Sequence, residues 1–67
     1  MAVSYDKLWK LLIDRKISKA ELRQLTKIAP NTMTKMHKEE YVSLEILDRI
    51  CSVLDVDYCD IISHKKL

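Results

Sequence analysis

Residues 18–38 read SKAELRQLTKIAPNTMTKMHK and contain two short helical patterns joined by about four residues. The first pattern opens with a capping box, because the Ser18 hydroxyl can accept from the backbone of Glu21 while the Glu21 carboxylate reaches back. The second pattern begins near Pro30, since proline disfavours helix at the residue before it and suits the first turn of a new helix. The segment therefore predicts two successive helices, the second over residues 30–38.

The two helices are expected to present different faces to the core. On the first, Leu22 and Leu25 are expected to point inward. On the second, Met33 and Met36 lie three apart and are expected to point inward as well. At ~100° per residue, the polar side chains of the second helix then fall on its opposite side or its flank. This basic, polar face consists of Asn31, Thr32, Thr34, Lys35 and Lys38.

The rest of the chain predicts an all-α domain around this pair of helices. Its 67 residues suffice for one domain, residues 1–67, with a small core. The absence of Gly and the single Pro argue against tight hairpin turns and favour helices. One helix before the pair and two after it make a compact five-helix domain. The last helix is expected at about residues 58–62, and residues 63–67 are expected to form a frayed tail.

Positive charge is concentrated in the first part of the chain. Residues 1–38 hold nine Lys or Arg and three Asp or Glu, whereas residues 39–67 hold three and seven. The resulting net charges of +6 and −4 indicate a polyanionic partner for the first part, such as nucleic acid or an anionic membrane. Ordinary solvated helix faces that happen to segregate are the alternative explanation.

The sequence shows no pattern typical of a membrane span, a metal site or an enzyme. No run approaches the ~18 apolar residues of a span, and no apolar export signal is present at the start, so a cytoplasmic location is expected. Cys51, Cys59, His37 and His64 match no zinc spacing, and the cysteines are expected to be small core residues. Without a glycine-rich phosphate loop or a convergent nucleophile set, no catalysis, cofactor or small-molecule substrate is expected.

An apolar stripe on the first helix of the chain has two interpretations. Tyr5, Trp9 and Ile13 are four apart and lie beside a stripe of leucines, which makes the apolar arc wider than a small monomer needs. The stripe is either a broad core face or a surface that seats a partner. It is one candidate dimer surface, and Tyr58 with Ile62 in the last helix is the other.

Four groups of residues carry a family resemblance. They are Ile17-Ser18-Lys19-x-x-Leu22 at the first helix start, Ile28 in the turn, Thr32-Met33-x-x-Met36 on the second helix, and Ser43-Leu44-x-x-Leu47-x-x-Ile50 after the loop. With them, nearly the whole chain resembles the helix-turn-helix DNA-binding domains of the Cro and phage-repressor class. It is similar to the small bacterial or phage regulators of this class that consist of the domain alone.

Two positions depart from the pattern of that class. Many relatives have Gly where this chain has Lys27, since the backbone there turns left-handed, and a lysine in that conformation costs about 1 kcal/mol. Arg23 replaces the usual small residue in the middle of the first motif helix. It must therefore face solvent, or the angle between the two helices must change. Neither departure affects the face expected to read DNA.

The resemblance implies a sequence-specific transcriptional regulator, such as a repressor, that occupies a promoter or operator with helix 30–38 in the major groove. In that role Asn31 would pair with adenine, Lys35 would donate to guanine and the Thr34 methyl group would pack on thymine. A homodimer could read paired half-sites of double-stranded DNA. The residues expected to hold phosphates are Ser18, Lys19, Thr32 and Lys38.

A second hypothesis keeps the fold and gives it another role. In this case the groove face would be silent, and the stripe of Tyr5, Trp9 and Ile13 would dock a larger protein, as in an antitoxin or anti-repressor. The acidic second half of the chain favours this hypothesis. The salt dependence of binding distinguishes the two hypotheses, because the affinity of a protein for duplex DNA falls steeply as the salt concentration rises.

Overall fold

The computed structural model describes residues 2–65, which form a mostly helical domain with a small sheet. Two of the α-helices begin where the sequence supplies a side-chain cap: Ser18 and Ser43 each accept a hydrogen bond from a backbone N–H in the first turn that follows. The elements in chain order are β1 (Ala2–Ser4), α1 (Asp6–Asp14), α2 (Lys19–Thr26), α3 (Pro30–His37), α4 (Leu44–Leu54), a 3-10 helix (Tyr58–Asp60) and β2 (Ser63–Lys65).

The structure corrects the expectation of an all-α domain with five helices. Four α-helices are present in the described part of the chain, and residues 58–60 form a single 3-10 turn instead of a fifth. β1 and β2 pair antiparallel. The tail expected to fray, residues 63–67, therefore contains a paired strand, β2. The absence of glycine does not prevent this sheet, because strands from opposite ends of the chain need no tight hairpin turn. Lys66 and Leu67, the rest of that tail, lie outside the described residues.

The core lies between the apolar faces of the four helices. Met33 and Met36 fix α3 to it, and Met36 is fully buried, which confirms the orientation expected for this helix. Ile61, which follows the 3-10 helix, covers one end of the core. The buried apolar side chains are Tyr5, Leu8, Leu12, Leu22, Ile28, Met33, Met36, Leu47, Ile50, Leu54 and Ile61.

The orientation expected for α2 was right for Leu22 and wrong for Leu25. Leu22 is fully buried, whereas Leu25 is 57% exposed and lies in a shallow surface cleft with Val53 of α4. Thr26 takes the second inward position. Its hydroxyl donates to the Leu22 carbonyl oxygen at 2.7 Å, so burial leaves no polar group unsatisfied. A helix can bury positions i and i+4 as readily as i and i+3, and packing here selects the former.

Tyr5 connects the start of α1 to the loop that follows α3. Its ring is buried, and its hydroxyl donates to the backbone oxygen of Glu40 at 2.6 Å. Burial raises the pKa of the Tyr5 hydroxyl above its ordinary value. This hydrogen bond joins segments 35 residues apart and helps to hold the C-terminal end of α3 in place.

Left-handed turns are made without glycine. Lys27, after α2, has φ 57° and ψ 37°, which confirms the conformation expected at this position. Lys16, Glu39 and Asp55 also have positive φ values. Arg23, the other departure from the family pattern, is partly buried on α2, and its backbone oxygen accepts the N–H of Lys27. Each left-handed non-glycine residue stores strain that glycine would relieve.

Lys27→Gly is therefore expected to raise the free energy of unfolding by about 0.5–1 kcal/mol, because relief of strain exceeds the entropy that glycine adds to the unfolded chain. Urea denaturation monitored by circular dichroism measures it. Lys27→Ala is the matched control, since it removes the same charge and keeps the strain. A gain in the alanine variant as large as in the glycine variant would show that charge, not conformation, is responsible.

Candidate nucleic-acid interface

One face of α3 is presented to solvent because the opposite face is anchored in the core. Pro30 occupies the first turn, where its missing N–H costs nothing, and Ala29 precedes it in an extended conformation. Burial of Met33 and Met36 then fixes the rotation of the helix about its axis. The exposed face carries Asn31, Thr34, Lys35 and Lys38.

The polar groups of this face are available to a ligand. In the part of the chain that the structure describes, the side chains of Asn31, Lys35 and Lys38 have no hydrogen-bond or ion-pair partner. The Thr34 hydroxyl donates to the Pro30 carbonyl oxygen at 3.1 Å, so its methyl group is left for an apolar contact. The face thus offers an amide, a methyl group and two ammonium groups within about two helical turns.

Thr32 lies apart from that face. Its side chain is half-buried on the flank of α3 that faces the start of α4, where it lines a small cleft of about 290 Å³ together with Lys35, Tyr41 and Ser43. The structure therefore brings Thr32 near Lys35 but not onto the outward face with Asn31.

The start of α2 supplies a second set of donors. The N–H of Glu21 donates to the Ser18 hydroxyl oxygen at 3.0 Å, and the N–H of Ser18 donates to the Glu21 carboxylate at 3.4 Å, which confirms the capping box. The Ser18 hydroxyl hydrogen remains able to donate. Among residues 2–65 the backbone N–H groups of Lys19 and Ala20 have no acceptor, as is usual for the first turn of a helix.

Comparison with known proteins agrees with this geometry. Residues 7–66 match the family described as the Cro/C1-type helix-turn-helix DNA-binding domain. The chain belongs to this family. The crystal structure of the transcriptional regulator VanUg is similar to it, with a TM-score of 0.91 and 50% sequence identity over 92% of this chain and 83% of that one. A search of curated proteins found no match.

Within this Cro/C1-type domain, sequence reasoning missed a cluster formed by the middle of α1, the start of α2 and the end of α3. The rings of Trp9 and His37 are stacked, with centroids 5.2 Å apart and planes 12° from parallel. The Lys19 ammonium lies 4.6 Å from the centroid of the Trp9 ring and 3.5 Å from His37 Nδ1. The sequence associates Trp9 only with an apolar stripe, and no spacing rule connects positions so far apart.

That apolar stripe is not a continuous surface. Tyr5 is buried and Trp9 is partly covered by the cluster, while Ile13 is 75% exposed. Tyr5 precedes α1 as its N-cap, whereas Trp9 and Ile13 lie within the helix. Periodicity along one helix does not report which of the three residues the rest of the fold covers. Of the three residues of the stripe, Tyr5 therefore belongs to the core and Trp9 to the cluster, while Ile13 is a solvent-exposed side chain.

The exposed face of α3 takes no part in the ion pairs of the described residues. The ion pairs found within residues 2–65 are Arg49 with Glu45 at 3.0 Å and Lys65 with Glu39 at 2.8 Å. Neither involves the basic side chains of α2 or α3. Carboxylates gather at another place, a cleft of about 590 Å³ beside the end of α4 that is lined by Asp48, Asp55, Asp57 and Asp60.

The two cysteines lie at that acidic end. Cys51 is partly buried, and burial together with nearby carboxylates such as Asp57 raises the pKa of its thiol. Cys59 is exposed, so the expectation that both are core residues was wrong for it; it lies on the 3-10 turn, which is too short to bury every side chain. Within residues 2–65 no His, Cys, Asp and Glu side chains form a group of three that could hold a metal ion. None of the described helices has the length and hydrophobicity that a membrane crossing requires.

Proposed function

We propose that this protein is a sequence-specific regulator of transcription that acts by occupying a promoter or operator, with α3 in the major groove. The observation that carries the proposal is the exposed face of α3, on which the side chains of Asn31, Lys35 and Lys38 have no hydrogen-bond or ion-pair partner within residues 2–65. In Cro/C1-type domains the second motif helix enters the major groove. Similarity to the regulator VanUg supports a role in transcription.

The proposed contacts with DNA are of two kinds, contacts with base edges and contacts with the phosphate backbone. We assign base contacts to Asn31, Thr34 and Lys35, because an amide matches adenine, a methyl group matches thymine and an ammonium matches guanine. A side chain that is exposed and unpaired loses little when it exchanges water for a base edge. Phosphate contacts are assigned to Ser18, Lys19, Thr32 and Lys38, on the flanks and at the ends of the two motif helices.

A homodimer is part of the proposal. One such module buries on the order of 600–1,000 Å² on DNA, which gives modest affinity, and a two-fold dimer on paired half-sites doubles the contact. Of the two candidate dimer surfaces, the one with Tyr58 and Ile62 keeps an open apolar groove, which Val3 and Tyr41 also line. A selection of bound fragments from random duplex DNA tests this directly, since a dimer should return a palindromic site.

The protein-docking hypothesis has less support. It requires the stripe of Tyr5, Trp9 and Ile13 to be an accessible surface, and only Ile13 is fully available. A regulator that blocks a promoter by occupancy needs no such surface. Occupancy of a promoter or operator is therefore the role that we infer for the domain.

Binding to duplex DNA is expected to weaken steeply with salt, because each neutralised phosphate releases counterions and adds about 0.9 to the slope of log affinity against log salt. The double variant Lys19→Ala, Lys35→Ala should lower that slope by about 1–2. Fluorescence anisotropy with a labelled duplex over a salt series measures it.

The matched control for this experiment is Lys10→Ala. Lys10 is an exposed lysine of α1 that lies near Asp14 and Asp60, in a different cleft from the motif helices. Its removal changes the net charge in the same direction but should leave the slope nearly unchanged. No measurable binding of the unmodified protein to duplex DNA at low salt would contradict the proposal and leave protein docking as the function.

A further inference from the structure

The cluster of Lys19, Trp9 and His37 joins the two motif helices through α1. Trp9 is in the middle of α1, Lys19 is the first residue of α2, and His37 is the last residue of α3. Lys19 and His37 are both exposed, while Trp9 is partly buried. The indole of the cluster is therefore partly covered by the protein, and the two nitrogen-bearing side chains on it face solvent.

The indole restricts both side chains. His37 is stacked on it at 5.2 Å and 12°, and the Lys19 ammonium is 4.6 Å from its centroid, a distance suited to cation–π attraction. The ring of Tyr5, buried in the core, contacts Trp9 with a centroid distance of 6.5 Å and an angle of 53°. Because the buried Tyr5 ring packs against Trp9, the indole has a fixed position. Lys19 and His37 both contact the indole, so a ligand does not have to order them.

The charges around this pair favour an anion. Lys19 Nζ and His37 Nδ1 are 3.5 Å apart, and no carboxylate forms an ion pair with either of them in residues 2–65. The residues that contact His37 are Trp9 of α1 and Lys19 of α2, and Lys38 follows it directly in the chain. An anion would therefore find Lys19 and His37 without a described ion pair that it has to displace.

We propose that Lys19 and His37 together clamp one phosphate of the DNA backbone, with Trp9 as the residue that positions them. The inference rests on the proposed function and adds His37 to the binding surface. Two donors at this separation can each bind a different non-bridging oxygen of one phosphodiester, and charge-assisted bonds of this kind are short and strong. His37 lies on the flank of α3 opposite to Thr32, so the helix would be held to the backbone on both sides of its reading face.

The clamp makes DNA binding depend on pH. A phosphate bound between the two side chains attracts both cations and so favours the protonated imidazole. Binding then takes up a proton, and by linkage the affinity must rise as the pH falls through the range in which histidine changes its charge.

The experiment compares His37→Gln with the unmodified protein on one fixed duplex, at about pH 6 and about pH 8, over a salt series. Glutamine keeps a hydrogen-bonding group but carries no charge. The unmodified protein should bind about three- to tenfold more tightly at the lower pH, with a salt slope larger by about 0.9. His37→Gln should lose both differences.

Matched variants separate the clamp from a packing role. His64→Gln removes the other histidine, which is exposed on β2, and should behave as the unmodified protein does. His37→Phe keeps a ring on Trp9 without a nitrogen, and it should unfold at an unchanged temperature yet lose the pH dependence. Trp9→Leu should weaken the pH dependence, and Trp9→Phe should restore much of it.

The outcomes distinguish the clamp from the function on which it rests. If the unmodified protein and His37→Gln share one pH dependence and one salt slope, the clamp is wrong and regulation by DNA binding stands. If the unmodified protein binds no duplex at either pH, the proposed function fails and the clamp fails with it.

Discussion

Leu22→Ala is expected to lower the free energy of unfolding by about 2–5 kcal/mol, the largest effect of any substitution considered for this domain. Leu22 is fully buried on α2, and its truncation removes apolar contacts and leaves a cavity between helices. A domain of this size has a total stability near the lower end of the usual range, about 5 kcal/mol. Urea denaturation should therefore show a variant that is marginally folded or unfolded.

Leu25→Ala is the control for this prediction, because the same change is made on the same helix. Leu25 is 57% exposed, so its truncation should cost less than about 1 kcal/mol. The difference between the two variants measures the rotation of α2 about its axis. Equal losses would mean that α2 buries Leu25 as well, as the sequence pattern alone predicts.

The helix-turn-helix segment could be predicted from the sequence because it depends on interactions between residues that are close in the chain. The capping box at Ser18 and Glu21 and the helix start at Pro30 depend on interactions within one turn, so they are visible in four or five consecutive residues. The inward pair of Met33 and Met36 follows from spacing on one helix. The left-handed backbone at Lys27 was expected from the family pattern, because many relatives have a glycine there, which favours this conformation.

Features that depend on contacts between distant segments could not be obtained in this way. Val3 pairs with His64 in the small sheet, and each strand has only three residues, too few for an alternation to be recognised. The choice between Leu25 and Thr26 on α2 is made by packing against the rest of the core, not by hydrophobicity. A threonine can be buried at that position because its hydroxyl finds a carbonyl within its own helix.

The candidate site was predictable only where a single helix supplies it. Asn31, Thr34 and Lys35 share the exposed side of α3, and helical periodicity is enough to group them. The cluster of Trp9 and His37 required the packing of α1 against α3, which no local pattern encodes. Its members also have ordinary alternative explanations, as a core aromatic residue and a solvated histidine. Distance measurements in the folded chain, and not residue spacing, reveal their association.

Asn31→Ala is expected to weaken binding to the best DNA site by about 1–3 kcal/mol and to leave binding to unrelated duplex DNA nearly unchanged. Asn31 is exposed in the first turn of α3, and within residues 2–65 its amide makes no hydrogen bond that would compete with adenine. The loss is specific because non-specific affinity comes from phosphate contacts, to which a neutral amide adds little. The best site comes from the selection on random DNA, and both affinities are measured at one salt concentration.

Ser52→Ala serves as the control for Asn31→Ala, since Ser52 is an exposed polar residue of α4 beside the acidic cleft, and its loss should alter neither affinity. Substitution of the base pair that Asn31 reads should cost the unmodified protein about as much as the alanine variant loses, and the two losses together should not add. An equal loss on specific and unrelated DNA would show that Asn31 holds the backbone instead of reading a base. Reading by α3 would then fall to Thr34 and Lys35, whose pairing preferences differ, so the same selection repeated with each variant would identify the residue responsible at every position of the site.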